Sequence, residues 1–351
     1  MVCGHLQRGC MKQKATSFDI AYKAGVSQST VSRALRNSPL VNEETRKKVQ
    51  AIAKELNYKV DKNASNLRSK HTGTLALLLF EDPTMDDSLI NPFFLSMLGS
   101  ITRAAAKKGY DLLVSFQQLS EDWHADYGDA SKADGIILLG YGDYTDYEEK
   151  LIKLYEQGTH FVRYGAVAEG QPGVSFGCDN FHGGYLATKH LIELGRKKFA
   201  FLGGADDSCP EFWSRYQGHC KALEEAGLPI NNQCQIKAIS TEESGFNAAK
   251  NLMALDVEFD AVMGASDMIA IGGMRAFQEQ GLKVPEQVAV VGFDDIPIAH
   301  FTNPPLTTIQ QNTKLAGEML VEALVNLIHD IEVKASLTPA KLIVRKSCGC
   351  S

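Results

Sequence analysis

From Gly73 onward the chain alternates short apolar runs with amphipathic stretches, and this alternation restricts the possible folds more tightly than anything else in the chain. Leu75–Phe80, Leu112–Phe116, Gly135–Leu139, Thr159–Val162, Phe199–Leu202, Ala261–Met263 and Val288–Val291 read as strands. Between them, Phe93–Lys107, Tyr185–Leu194, Ser214–Ala226 and Met268–Gln280 carry apolar residues at helical spacing. Uninterrupted apolar runs suit strands buried on both faces. Repeated βα units therefore imply parallel sheets covered by helices on either side. About 275 residues of this pattern are enough for two such sheets side by side. Ligands of open α/β folds bind beyond the carboxyl ends of the strands, often between domains.

The segment before Gly73 differs in charge. Up to His71 there are 14 Lys and Arg against 5 Asp and Glu, a net of +9, whereas the remaining 22 basic and 37 acidic side chains give −15. A small basic head on a large acidic body points to a polyanion that meets the head alone. At 351 residues the chain is too long for one core and is expected to hold two or three domains. No apolar run approaches the roughly 20 residues of a membrane-spanning helix, so no membrane partner is expected. Residues 1–14 show no apolar core or small-residue cleavage site of a secretory signal. The eight cysteines are scattered rather than dense, which suits a reducing, cytoplasmic setting.

Thr16–Tyr58 reads as three short helices. Phe18, Ile20, Ala21 and Ala24 share one face of the first, with Thr16 or Ser17 as its N-cap. Gly25 permits a sharp turn, and Ser27 can cap a second helix, Gln28–Arg36, with Val31, Ala34 and Leu35 as its buried stripe. Asn42 can cap a third, Glu43–Asn57. A helix, a glycine-containing turn and a second helix make the plan of a DNA-reading helix-turn-helix. The early residues of its second helix, Gln28, Ser29, Thr30 and Arg33, are polar groups able to reach bases or phosphates.

These residues carry a resemblance. Asp19-Ile20-Ala21-x-x-Ala24-Gly25-Val26-Ser27-x-Ser29-Thr30-Val31-Ser32-Arg33-x-Leu35, continued by Pro39-x-Val41-x-Glu43-Glu44-Thr45-Arg46-x-x-Val49 and Glu55-Leu56-Asn57-Tyr58, closely resembles the signature of the lactose/galactose repressor (LacI–GalR) family of bacterial transcription regulators. The resemblance implies that Gln28, Ser29 and Arg33 read bases. Thr16, Ser17, Thr30, Ser32 and Tyr58 would hold phosphates or the helix packing. Arg36 departs from the family, which usually has Asn there. Asn63–Ser69 aligns with the family's hinge helix, in which Ala64 would contact DNA and Leu67 would wedge into the minor groove, an insertion that unstacks a base step. Val60 replaces the proline common before that hinge.

The resemblance runs on through Asn91-Pro92-Phe93-Phe94, Cys178-Asp179-Asn180, Ser266-Asp267, Gly292-Phe293-Asp294-Asp295 and Pro305-Leu306-Thr307-Thr308-Ile309-Gln310-Gln311. It implies a multidomain protein with an all-α helix-turn-helix head and an α/β, two-lobed, periplasmic-binding-protein-like body of two doubly wound parallel sheets. The expected divisions are an extension at 1–14, the head at 15–60, a hinge at 61–72 and the body at 73–347. Within the body, the N-lobe would take 73–177 and 307–338 and the C-lobe 178–306 and 340–347, with crossovers near Gly177, Pro305 and Pro339.

By the same resemblance Arg215 and Asp294 would grip effector hydroxyls and Gln311 would add a crossover contact. Phe93, Phe94, Trp213 and Tyr164 would supply aromatic walls. Ser266 stands where Asn is usual, and Arg163 lies near a position that is acidic in one member of the family. Two arginines in the cleft would tolerate an anionic or oligomeric sugar, and a glucoside or small oligosaccharide is expected.

Enzyme signatures are absent: there is no Gly-x-Ser-x-Gly, Gly-x4-Gly-Lys-Ser/Thr, His-Glu-x-x-His or post-strand Gly-x-Gly-x-x-Gly. Neither a catalytic residue nor a cofactor is expected. Cys348-Gly349-Cys350 and Cys3-x6-Cys10 lack a matching second pair at structural-zinc spacing, so no metal is expected either. The sequence reads as a cytoplasmic, homodimeric repressor of a carbohydrate-utilisation operon. It would bind near-palindromic operator DNA and respond to a small sugar-like effector. An activator or a corepressor-dependent regulator would look the same. A sugar-transport protein on this body would instead lack the basic head.

Overall fold

The computed structural model describes residues 15–58, 71–80, 90–140, 144–167, 170–206 and 208–350. The extension at 1–14 and the hinge positions Ala64 and Leu67 lie outside the described residues. Two compact units divide at Thr72/Gly73.

The first unit holds α1 (Ser17–Ala24), α2 (Gln28–Leu35) and α3 (Glu43–Glu55). Local chemistry sets each start. Thr16 and Asp19 form a reciprocal capping box, and the side chains of Ser27 and Asn42 accept the N–H groups of Thr30 and Thr45. Gly25, at φ +69°, ends α1 in the left-handed conformation that makes the turn. Ile20, Ala24, Val31, Ala34, Val41, Val49, Ile52 and Ala53 form a private core. The last helix stops at Glu55 rather than Asn57, whose φ is +49°.

The second unit runs β1 (Thr74–Leu79), α4 (Pro92–Lys108), β2 (Asp111–Phe116), β3 (Gly135–Leu139), α5 (Tyr144–Glu156), β4 (Phe161–Tyr164), β5 (Val174–Cys178) and α6 (Asn180–Glu193). Then follow β6 (Phe199–Leu202), α7 (Pro210–Glu225), β7 (Gln235–Ile236), α8 (Glu242–Ala254), β8 (Ala261–Gly264), α9 (Asp267–Glu279) and β9 (Ala289–Asp294). The chain closes with β10 (Thr307–Gln310), α10 (Thr313–Ile328), β11 (Ser336–Thr338) and β12 (Lys341–Ile343).

Two six-stranded sheets result, in the orders β11-β5-β4-β3-β1-β2 and β12-β10-β9-β8-β6-β7. Every pairing is parallel except that of β12 with β10. Strand alternation divides the first sheet's cover: Leu75, Leu77 and Leu79 face one apolar cluster, and Ala76 and Leu78 face another with Trp123 and Leu151. In the second lobe α6 and α7 cross in close contact. A Cβ on Gly184 would lie 2.0 Å from the Arg215 carbonyl oxygen, and one on Gly218 would lie 2.0 Å from that of Phe181.

One expected lobe boundary is corrected. Thr307–Gln310 does not belong to the first lobe: it is β10, paired with β9 from Thr307–Val291 to Gln310–Asp294. The β-branched run after Pro305 forms a strand of the second sheet, so the chain crosses back at Gln311–Asn312 rather than at Pro305. It also passes between sheets after β5 and between β11 and β12, around Pro339.

Candidate functional site

In the first unit the second helix presents its polar edge outward. Ser29 and Arg33 are exposed. Gln28 is half-buried, and its Nε2 donates to Ser17 Oγ at 2.8 Å, joining the starts of α1 and α2. Ser27 Oγ lies 2.8 Å from Ser29 Oγ and 2.9 Å from Thr30 Oγ1, so the cap also orients the first turn of α2. Arg36 Nη2 donates to Ser32 Oγ at 2.5 Å. Thr16 is occupied by its capping box, and Tyr58 packs half-buried against the helical core. Phe18, Tyr22 and Leu40 are exposed at 67, 93 and 79 %.

The second unit concentrates its polar chemistry where the carboxyl ends of the strands of both lobes meet. Arg215 on α7 is completely buried. Its Nε donates to Asn180 Oδ1 at 2.8 Å, its Nη1 donates to the Ala265 carbonyl at 2.5 Å, and its guanidinium lies 3.7 Å from the centre of the Phe293 ring. The same Nη1 stands 3.7 Å from Asp294 Oδ1. Asp294 ends β9 at φ +124°, followed by Asp295 at +58°. Consecutive non-glycine residues in this region store backbone strain of the kind that clusters at ligand sites. Gln311 Nε2 donates to Asp294 Oδ1 at 2.7 Å, and Tyr164 Oη donates to Gln311 Oε1 at 2.7 Å. Because Tyr164 belongs to the first lobe and Asp294 to the second, this chain of bonds spans the cleft.

Two further bridges clasp the lobes. Asn91, the N-cap of α4, donates from Nδ2 to Ser240 Oγ at 3.0 Å, and Ser240 Oγ donates to Ser266 Oγ at 2.8 Å. Glu211 at the start of α7 accepts the Ala166 N–H at 2.7 Å.

The electrostatics are tight. Burial raises the Asp294 carboxyl to about 6, against the opposing pull of Arg215, Gln311 and the Asp267 N–H. Asp267 is also fully buried, and burial together with the Asp294 charge holds it well above the usual carboxylate range. Its oxygens accept the Thr308 hydroxyl at 2.5 Å and the Ile296 N–H at 2.9 Å.

Of the residues singled out from sequence, Arg215, Asp294 and Gln311 are thus brought into one network. Phe93 stands beside it, 5.9 Å from Tyr164 ring to ring, and Phe94 packs behind Phe93 in the core. Ser266 caps α9 and reaches the cleft through Ser240. Trp213 packs on Tyr216 on the surface side of α7. Arg163, the neighbour of Tyr164 on β4, donates to Ser175 Oγ at 2.6 Å and to Gln171, and lines a cavity of about 60 Å³ together with Tyr164, Trp123, Gln117 and the bridging residues Ala166 and Glu211. Sequence reasoning missed Ser240, which carries no motif. It passed over Asn91 and Asn180 although both lie within quoted landmarks.

Comparison with known proteins matches residues 18–61 to the family described as bacterial regulatory proteins, lacI family, and residues 188–348 to a periplasmic binding protein-like domain. The HTH-type transcriptional repressor PurR of Histophilus somni (strain 129Pt) is 30% identical over 339 residues, covering 95% of this chain and 98% of the relative. PurR of Haemophilus influenzae (strain PittEE) is 30% identical over 343 residues, with the same coverage. Among solved structures, the complex of the transcriptional regulator CelR with cellobiose is 30% identical with a TM-score of 0.69, covering 95% of this chain and 99% of that one. The lac repressor dimer bound to operator and the anti-inducer ONPF is 27% identical with a TM-score of 0.79, covering 96% and 99%.

Proposed function

We propose that this chain, which belongs to the lacI family of bacterial regulatory proteins, binds a near-palindromic operator as a cytoplasmic homodimer and changes its operator affinity when a small sugar or glycoside enters the interlobe cleft. It is a DNA-binding transcriptional repressor, and its relatives are repressors rather than enzymes.

The observation that carries the effector reading is the buried chain Tyr164–Gln311–Asp294–Arg215, which links the two lobes at the carboxyl ends of their strands. A carboxylate and a guanidinium side by side suit paired hydroxyls, and Phe93 with Tyr164 offers an apolar surface for a sugar ring. These groups are bonded to one another, so an effector would exchange its hydroxyls for contacts already present, and the lobes would re-set around it. Phe94 and Ser266 would support that site from behind, with Arg163 at its edge. The CelR–cellobiose complex supports the same ligand class. Coupling to the operator follows if the effector binds one lobe arrangement better than the other.

In the head, Gln28, Ser29 and Arg33 would read base edges, with Thr16, Ser17, Thr30, Ser32 and Tyr58 on phosphates or packing. Ala64 and Leu67 would extend the contact into the minor groove. The homodimer reading rests on apolar residues exposed on α4 and on the edge strand β2: Leu95 at 53 %, Leu113 at 37 % and Val114 at 44 %. Sedimentation at operator-binding concentrations should give a dimer, and a monomer would overturn that part.

The effector test is fluorescence anisotropy on the promoter region beside the gene, across mono- and disaccharides and nucleobases. Release by one sugar, lost in Asp294→Ala while DNA binding persists, is the expected result. Response to a nucleobase and to no sugar, or a normal sugar response in Asp294→Ala, would overturn the reading. Tightening by the sugar would make it a corepressor.

A further inference from the structure

Cys348-Gly349-Cys350 is one half of a metal-binding pattern in the sequence, and the fold supplies a third group from 160 residues upstream. His190, near the end of α6, places Nε2 3.8 Å from Cys350 Sγ. The ligand atoms of His190, Cys348 and Cys350 all lie within 4.8 Å of one another, and among the described residues no other three His, Cys, Asp or Glu groups meet that condition. Cys348 is fully buried, whereas His190 and Cys350 are half-buried.

The tail is fixed in place by the fold itself. Ser347 accepts the Val290 N–H on its carbonyl and the Thr307 N–H on its Oγ, both at 2.8 Å, and its Oγ donates to the Val290 carbonyl at 2.6 Å. Arg345 donates to Asp295 Oδ1 and to the Leu306 carbonyl, and Cys348 Sγ donates to the Arg345 carbonyl at 3.4 Å. Gly349, at φ +95°, lets the chain turn so that both sulfurs lie on the side of His190. Val290 and Thr307 sit at the amino ends of β9 and β10, whereas Asp294 and Gln311 mark the carboxyl ends. The cluster is therefore on the far edge of the second sheet from the cleft.

Two thiolates and an imidazole are the ligands that zinc-class cations prefer. Zinc bonds of about 2.3 Å to sulfur and about 2.0 Å to nitrogen in a tetrahedron require ligand atoms roughly 3.5–3.8 Å apart. The His190–Cys350 distance already meets this, and the 4.8 Å bound leaves about 1 Å of contraction for the others. We infer that His190 Nε2, Cys348 Sγ and Cys350 Sγ form a three-ligand site for a zinc-class divalent cation, with the fourth position open to solvent beside Cys350. Binding replaces the two S–H protons by S–Zn bonds and releases both protons to solvent. The ion ties the C-terminal tail to α6, the helix whose first residue, Asn180, holds Arg215. This inference stands apart from the reading of the effector cleft.

The experiment titrates zinc into the full-length, reduced, chelator-stripped protein against a chromogenic chelator, and repeats the titration with cobalt to look for thiolate-to-metal charge-transfer absorption. Wild type should take one tight equivalent per chain. Cys350→Ser and His190→Gln should each weaken it at least tenfold, while Cys220→Ser leaves it unchanged. Cys348 is buried and its replacement could unfold the tail, so the two half-buried ligands are the ones varied, with circular dichroism to verify that each variant is folded. No tight equivalent in wild type, or one that survives both variants, overturns the site.

Discussion

The head and the body place their polar groups in opposite ways. The head closes a small core of eight buried apolar residues and leaves Ser29 and Arg33 exposed, with the hydroxyls of Thr16 and Ser27 engaged in caps. The body buries Arg215, Asp294, Asp267 and Gln311 completely or nearly so and satisfies them against one another. An exposed reading edge is separable from the fold that carries it. A buried network is part of the fold, so function and stability there stand or fall together.

The two regions should differ most in Arg215→Ala. It removes the cation from a site that keeps two buried carboxylates and Asn180, so a loss of about 3–5 kcal/mol in folding stability is expected, read by denaturant or thermal melting. An unchanged melting temperature would mean that the body's network is as separable as the head's edge. Arg33→Ala should show the opposite pattern. Operator affinity should fall roughly 10–100-fold while stability stays within about 0.5 kcal/mol. Loss of stability equal to that in Arg215→Ala would erase the contrast between the regions.

A finer test uses pH. Because the Asp294 carboxyl sits at about 6 in the folded protein against 3.8 in an ordinary carboxylate, the native state binds the extra proton between those values. Its contribution to stability is therefore present at the acid end and is lost as pH rises through about 6. Burial pushes His219 down to about 3, which gives a slope of the opposite sign that both proteins share. The stability of wild type minus that of Asp294→Asn should thus decline as pH rises from about 4 through about 6. Asp267, relieved of the Asp294 charge in the variant, moves the difference the same way. A flat difference would show that Asp294 is charged throughout.

Legibility followed the range of the physics. The caps Thr16, Ser27 and Asn42, the turn at Gly25 and the periodic core of the head act over three or four residues, and each stands where the sequence pattern placed it. The βα alternation likewise announced parallel sheets. The short strands Gln235–Ile236, Thr307–Gln310, Ser336–Thr338 and Lys341–Ile343 carry too few residues to show a period, so the second crossover was expected six residues early. Arg163 illustrates the same limit: its partners Ser175 and Gln171 lie 12 and 8 residues on, beyond the reach of a local pattern.

Local periodicity, capping and an ordered motif were enough to settle the head's helices and the class of the body, and the family resemblance singled out Arg215 and Asp294. Other features existed only once the chain had packed. Ser240 joins Asn91 to Ser266 across the lobes, Asp267 and Asp294 share one buried space, and His190 meets Cys348 and Cys350. Those meetings follow from strand order and from which face each side chain takes. Both are fixed by packing between segments distant in the chain, which no window of sequence contains.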